Sequence, residues 1–162
     1  MPNKSSALSA LIALFSSTTM LNAEDLLLGF ELGGTLEQAH AHASSNGWTL
    51  RPIHDDLKRI WLIVGVDADL YVCENRVLAV RREFEGGVDE FAQLVQQVQI
   101  EKGLPDTNVI TFRSGVRRIS NVDARFEADN GTETIVQLSS IDGDVGVSTN
   151  TWLATACVDQ NE

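Results

Sequence analysis

The chain has 162 residues, 43% hydrophobic and 22% charged, with only three prolines; this makes one ordinary domain, burying about two-thirds of its unfolded surface, and excludes a disordered chain or one that needs metal merely to fold. Twenty-three acids against twelve bases give a net charge of −11. That charge repels nucleic-acid phosphates and anionic lipid headgroups and suits a basic protein partner.

Lys4 is the only charged side chain before Glu24, and it precedes the apolar run Ala7–Phe15 and a small polar stretch ending at Ala23. That order is the pattern of a secretory signal peptide over residues 1–23, which predicts a periplasmic or secreted protein with a single mature domain over 24–162. An N-terminal amphipathic helix is the alternative. The apolar run is shorter than the roughly 20 residues a membrane-spanning helix needs, so no transmembrane span is expected in the mature chain. Export would also place Cys73 and Cys157, the only two cysteines, in an oxidising compartment. There a disulfide closing a long loop contributes about 3 to 5 kcal/mol in the chain-entropy model. Two buried thiols in neighbouring strands are the other reading.

The stretch Gly29–Trp48, GFELGGTLEQAHAHASSNGW, combines glycines, histidines and carboxylates. Thr35 and Gln38 have capping-box spacing, so a helix is predicted from this point, carrying Leu36, Ala39 and Ala43 on one side and ending at Asn46-Gly47, with Trp48 folding back on its last turn. His40 and His42 are two residues apart, about 200° around the axis, whereas zinc would need them three or four apart; solvated side chains are expected. His54, Asp55 and Asp56 fall in a predicted loop.

Residues 59–66 and 69–85 read as strands, the second folded into a hairpin at Glu74-Asn75. A second helix follows, with Val88, Phe91, Leu94, Val95 and Val98 as its apolar stripe, Asp89 and Glu90 in its first turn, and Lys102-Gly103 and then Pro105 to end it. The remainder reads as a meander over 108–115, 119–128, 133–141 and 147–158, with turns at Asp129-Asn130-Gly131 and Asp142-Gly143-Asp144. The glycine pairs Gly33-Gly34 and Gly86-Gly87 stand 53 residues apart and the helix-ending Gly47 and Gly103 stand 56 apart. The expected fold is therefore α+β, an antiparallel sheet with two helices packed on one face, its halves at about 24–85 and 86–162 being either a tandem helix-plus-meander repeat or two unrelated units.

Phe30-Glu31-Leu32-Gly33-Gly34-Thr35-Leu36-Glu37-Gln38, opening a helix that leads into a meander, resembles the F-x-x-G-x-T-x-x-[QE] pattern of small exported bacterial proteins. These include the β-lactamase inhibitory protein group and outer-membrane assembly lipoproteins of the SmpA type. In that comparison Phe30 is a core residue, and Gly33 and Thr35 are the turn and cap. The resemblance covers about twenty residues and implies a non-catalytic protein that binds another protein in the cell envelope. Val88 stands where the cap threonine would recur in the second half, and the lipoprotein cysteine is absent.

No nucleophile elbow, zincin, phosphate-loop or dinucleotide pattern occurs in a matching context, and the 142–146 turn lacks a calcium loop's alternating oxygen ligands and distal glutamate. No catalytic, cofactor-binding or metal-binding residue is nominated. The function expected is a non-enzymatic exported protein acting by protein–protein contact, as an inhibitor, immunity-type or assembly factor; a small-molecule or lipid-binding module is the alternative. Trp61 and Trp152 are the candidate anchors for a partner and Asp55 and Asp56 the candidate rim acids, core positions being the other reading of the two tryptophans.

Overall fold

Thr35 caps the helix that its spacing predicts. Its Oγ1 accepts the Gln38 amide at 3.2 Å and Gln38 Oε1 accepts the Thr35 amide at 2.7 Å, which satisfies two amides that a helix start leaves without intrahelical partners. The computed structural model describes residues 23–54 and 57–154. Its elements are α1 (Ala23–Leu26), α2 (Leu36–Ser45), β1 (Thr49–His54), β2 (Leu57–Val64), β3 (Ala68–Cys73), β4 (Arg76–Phe84), α3 (Val88–Lys102), β5 (Asp106–Ser114), β6 (Arg117–Glu127), β7 (Thr132–Ile141) and β8 (Asp144–Leu153). The expected signal peptide, its cleavage site excepted, lies outside the described residues, as do Asp55, Asp56 and Cys157. None of the described helices is long and apolar enough to cross a membrane.

All eight strands form one sheet in the order β1-β2-β3-β4-β8-β7-β6-β5, each neighbour antiparallel. The α+β class with an antiparallel sheet is thus as expected. The order reads the same from either end when the two sets of four strands are exchanged, and the join is the β4–β8 ladder from Ala79↔Trp152 to Phe84↔Val147. Turn chemistry sets the hairpins. Glu74 and Asn75 both take positive φ between β3 and β4, and Asp142 and Gly143 do so between β7 and β8, the geometry whose twist matches paired strands.

One strand lies outside the expectation. Residues 49–54 pair with β2 as β1, and His54 closes that strand rather than sitting in a loop. Pro52 hides the strand from a propensity reading, yet proline is tolerated on an edge, and β1 is an edge.

Two apolar clusters hold the helices. Ala39 and Ala43 of α2 pack with Phe30, Leu50, Ile63, Leu70, Val77 and Val80. Leu94 and Val98 of α3 pack with Leu26, Ala124, Phe126, Val136 and Val147. The segment before α2 joins both, since Leu26 enters the α3 cluster and Phe30 the α2 cluster; Arg82 donates to the Asp25 carbonyl at 2.8 Å and lays its guanidinium over Phe84 at 4.9 Å. Opposed residues in an antiparallel sheet share a face. One row therefore runs Pro52–Trp61–Leu70–Val80–Thr151–Thr134–Phe126. At its centre buried Thr134 bonds buried Thr151 at 3.1 Å and accepts from Lys102 Nζ at 2.9 Å, and burial pushes the Lys102 ammonium below its ordinary value while Glu101 opposes that.

The apolar stripe of α3 needs one correction. Val88 is 65% exposed, while Leu94 and Val98 are almost fully buried, because the stripe's period continues into the first turn whether or not the sheet lies beneath it. Leu94→Ala should therefore cost about 2 to 5 kcal/mol of unfolding free energy in urea titration, and Val88→Ala less than about 0.5 kcal/mol; comparable losses would place the helix in a different rotation.

Candidate functional site

The histidine and glycine stretch of the sequence folds into a structural joint. His42 Nε2 donates to the Leu28 carbonyl at 2.9 Å, so the proton is on that nitrogen, and the ring stands edge-on to Phe30 at 4.7 Å with Trp48 stacked beyond. Gly29 has φ +77, and a Cβ there would lie 2.8 Å from His42 Cε1; the close approach requires glycine. Gly33 donates to the Val77 carbonyl at 2.7 Å, Val77 returns a bond to Gly34 at 2.9 Å, and Arg76 donates to the Gly33 carbonyl at 2.8 Å. The glycine pair thus ties the approach to α2 onto the start of β4. Neither His40 nor His42 is the solvated side chain expected, for His40 also stands edge-on to an aromatic ring, that of Trp61, at 5.2 Å.

The more open chemistry is on the sheet. Shifting the buried row by one residue gives Arg51–Leu62–Asp69–Arg81–Asn150–Ile135–Arg125–Asp106, one residue from each strand. Beside it runs Ile60–Tyr71–Ala79–Trp152–Glu133–Glu127. These rows share the face opposite that of Leu70 and Val80. Two hollows lie along it. One of about 640 Å³ is lined by Ile60, Tyr71, Leu78, Arg81, Asn150 and Trp152. Another of about 670 Å³ is lined by Ile53, Leu62, Val64, Asp67 and Glu83, and Asp69 and Arg81 border both.

The charged groups here are mostly coupled to each other. Arg81 donates to Glu83 at 2.8 Å and stands 3.9 Å from Asp69; Arg125 lies 3.0 Å from Glu133 as an ion pair without hydrogen-bond alignment; Gln137 donates to Asp123 at 2.7 Å. Two shielded acceptors, Asn150 Oδ1 and Asn121 Oδ1, have no hydrogen-bond partner. A shielded carbonyl oxygen without a donor is costly, and a docking molecule can supply one.

The predicted anchors separate. Trp61 packs against the α2 cluster and uses its indole N–H on the Lys58 carbonyl at 3.0 Å. Trp152 lines the first hollow beside Tyr71. Tyr71, Arg81 and Asn150 had no signal in the sequence beyond strand alternation, because what brings them together is the β3–β4–β8 register. The Asp142 turn is closed by the protein itself: Oδ1 accepts the Arg118 amide at 2.9 Å. Among the described residues no group of three or more His, Cys, Asp or Glu side chains is placed to hold a metal ion. Compared with known proteins, the chain matches no family model, no curated protein and no solved structure.

Burial is the largest influence on Asp69 and pushes its carboxyl above the ordinary 3.8; Arg81 opposes this and Glu83 adds to it. The folded protein therefore retains this proton where the unfolded chain has released it, and stability falls as pH rises through that window. Relative to the wild type, Asp69→Asn should gain stability in denaturant titrations as pH rises from the ordinary carboxylate value through the raised value of the folded protein; a gap that is constant, or that moves the other way, would show that the carboxyl is not desolvated.

Proposed function

We propose that this chain is an exported, non-enzymatic protein that binds a more basic protein through its Trp152 face. The observation that carries the reading is the hollow lined by two aromatic side chains, Trp152 and Tyr71, and by Asn150, whose Oδ1 is unpartnered. Aromatic anchors in a pocket with a polar surround are the usual core of a protein interface. Asp69, Glu83, Asp106, Asp123, Glu127 and Glu133 outnumber Arg51, Arg81 and Arg125 on the two rows and the adjoining Glu83–Ser148–Gln137–Asp123 row, so the face favours a basic partner that can also donate to Asn150 and Asn121.

In this reading both helices cover the opposite face, as halves of a helix-plus-four-strand repeat. Two facts support it: the α2 and α3 clusters both supply residues to the row from Leu70 to Phe126, and the strand order is symmetric about β4–β8. Residues 1–23 act as the signal peptide, which the Lys4 and Ala7–Phe15 pattern supports. Cys73, at the end of β3, bonds with Cys157 in the oxidising compartment, as the presence of two cysteines alone in the chain supports. The likeness of Phe30–Gln38 to the β-lactamase inhibitory protein and SmpA groups agrees with a role in the envelope. A second reading, a small-molecule or lipid-binding module, is favoured by the volume and apolar lining of the Trp152 hollow.

The partner is to be isolated on the full-length protein expressed with its leader and its affinity measured. Trp152→Ala should weaken that complex by about 30-fold or more, and Trp61→Ala, corrected for stability, by far less. Binding should also weaken as salt rises. If Trp152→Ala binds like the wild type, the face is misassigned; an apolar small molecule carried through native mass spectrometry, with no protein partner, would favour the second reading.

A further inference from the structure

The two ends of the sheet are built differently. An edge strand offers unpaired backbone donors and acceptors, and proteins blunt it with short strands, proline, charge or irregular register. β1 has six residues, contains Arg51 and Pro52, and shifts register between Pro52 and His54. β5 has nine residues in unbroken register with β6, every one of them exposed, and Asp106 and Arg113 are its only charges. Between them Val109 is 68%, Ile110 42% and Phe112 46% exposed. That is a long, regular edge, apolar through its centre, without the proline, the short length or the register shift of β1.

We propose that β5 pairs with β5 of a second copy of this chain, antiparallel about Ile110, to form a closed dimer with one sheet continuous across both chains. Three observations select a second copy as the occupant. The first is charge: antiparallel self-pairing sets the Asp106 end of each strand against the Arg113 end of the other, and Arg117 and Arg118 lie at that same hairpin end. On a chain with only twelve bases and a net charge of −11, this is where a second acidic copy meets cations.

The second is backbone direction. Gly115, at φ +62, and Val116 make a two-residue turn between Ser114 and Arg117. Such a turn closes on a hydrogen-bonded pair, so even-numbered residues of β5 direct their backbone groups toward β6, and Thr107, Val109, Thr111 and Arg113 direct theirs outward. Pairing about Ile110 opposes Thr107 to Arg113 and Val109 to Thr111, outward groups to outward groups, over the whole strand. Ile110 then faces its own counterpart in a close, non-hydrogen-bonded pair. The third is closure: each chain has one β5 edge, and the protected β1 edge prevents pairing from continuing into a fibre. The inference is independent of what the Trp152 face binds.

The test is sedimentation equilibrium of the full chain, with variants. The wild type should have twice the monomer mass at about 100 µM. Val109→Pro deletes an outward amide that the β5–β6 ladder does not use, and should give a monomer with an unchanged circular dichroism spectrum. Ile110→Lys sets two like charges against each other and should also give a monomer, which keeps the test decisive if the proline variant fails to fold. In non-reducing gels with a wild-type control, Ile110→Cys should cross-link to its copy under mild oxidation, and Asn108→Cys should not, because Asn108 opposes Phe112 of the second copy. A monomeric wild type, dimers that persist in Ile110→Lys, or cross-linking at Asn108 rather than Ile110 would each overturn the proposal.

Discussion

The antiparallel ladder between β4 and β8 is the constraint on which the rest of the molecule depends. It joins strands that are more than sixty residues apart in the chain, and its register, Val80 opposite Thr151 and Arg81 opposite Asn150, decides which residues of the two halves share a face. A slip of one residue would turn every side chain of one half over. Leu70 and Val80 would then be aligned with Asn150 and Ile135 rather than with Thr151, Thr134 and Phe126, and the hollow lined by Trp152, Tyr71 and Ile60 would not exist.

The seam is unusual for its chemistry. Where apolar rows meet, three threonines are buried, and Thr134 and Thr151 satisfy one another and Lys102 while Thr149 Oγ1 has no partner. Threonine fits a pleated strand nearly as valine does, so the seam keeps β geometry while losing some apolar area. Compensation comes from the segment that precedes α2. Leu26 and Phe30 place one apolar side chain in each cluster, and Arg82 holds the backbone just before Leu26, at the Asp25 carbonyl. A stretch with the composition of an active site therefore serves as a clasp between two halves, its glycines needed by His42 and by the hydrogen bonds to β4.

Much of this was legible in the residues. Thr35 with Gln38, Asn46-Gly47, Glu74-Asn75 and Asp142-Gly143 act through contacts three or four residues apart, and each starts or stops an element where expected. The stripe of α3 was legible as a period but not in its extent, so Val88 was assigned to a core it does not reach. β1 was missed because Pro52 weighs against a strand unless the strand is known to be an edge, and edge position is a property of the sheet. His40 and His42 face different ways around α2, as their spacing requires, yet each finds an aromatic ring, and the rings come from Trp61 and Phe30.

The sequence by itself determined the elements other than β1, the antiparallel character and the acidic field, because caps, turns and alternation act locally and charge is additive. Only the tertiary structure decided that Trp61 packs inward while Trp152 lines a hollow, that Tyr71, Arg81 and Asn150 are neighbours, and that β5 rather than β1 is the unprotected edge. Each of these depends on which strands pair across long loops and in what register, and the free energy that selects that pairing is spread over two distant apolar clusters rather than written at any one position.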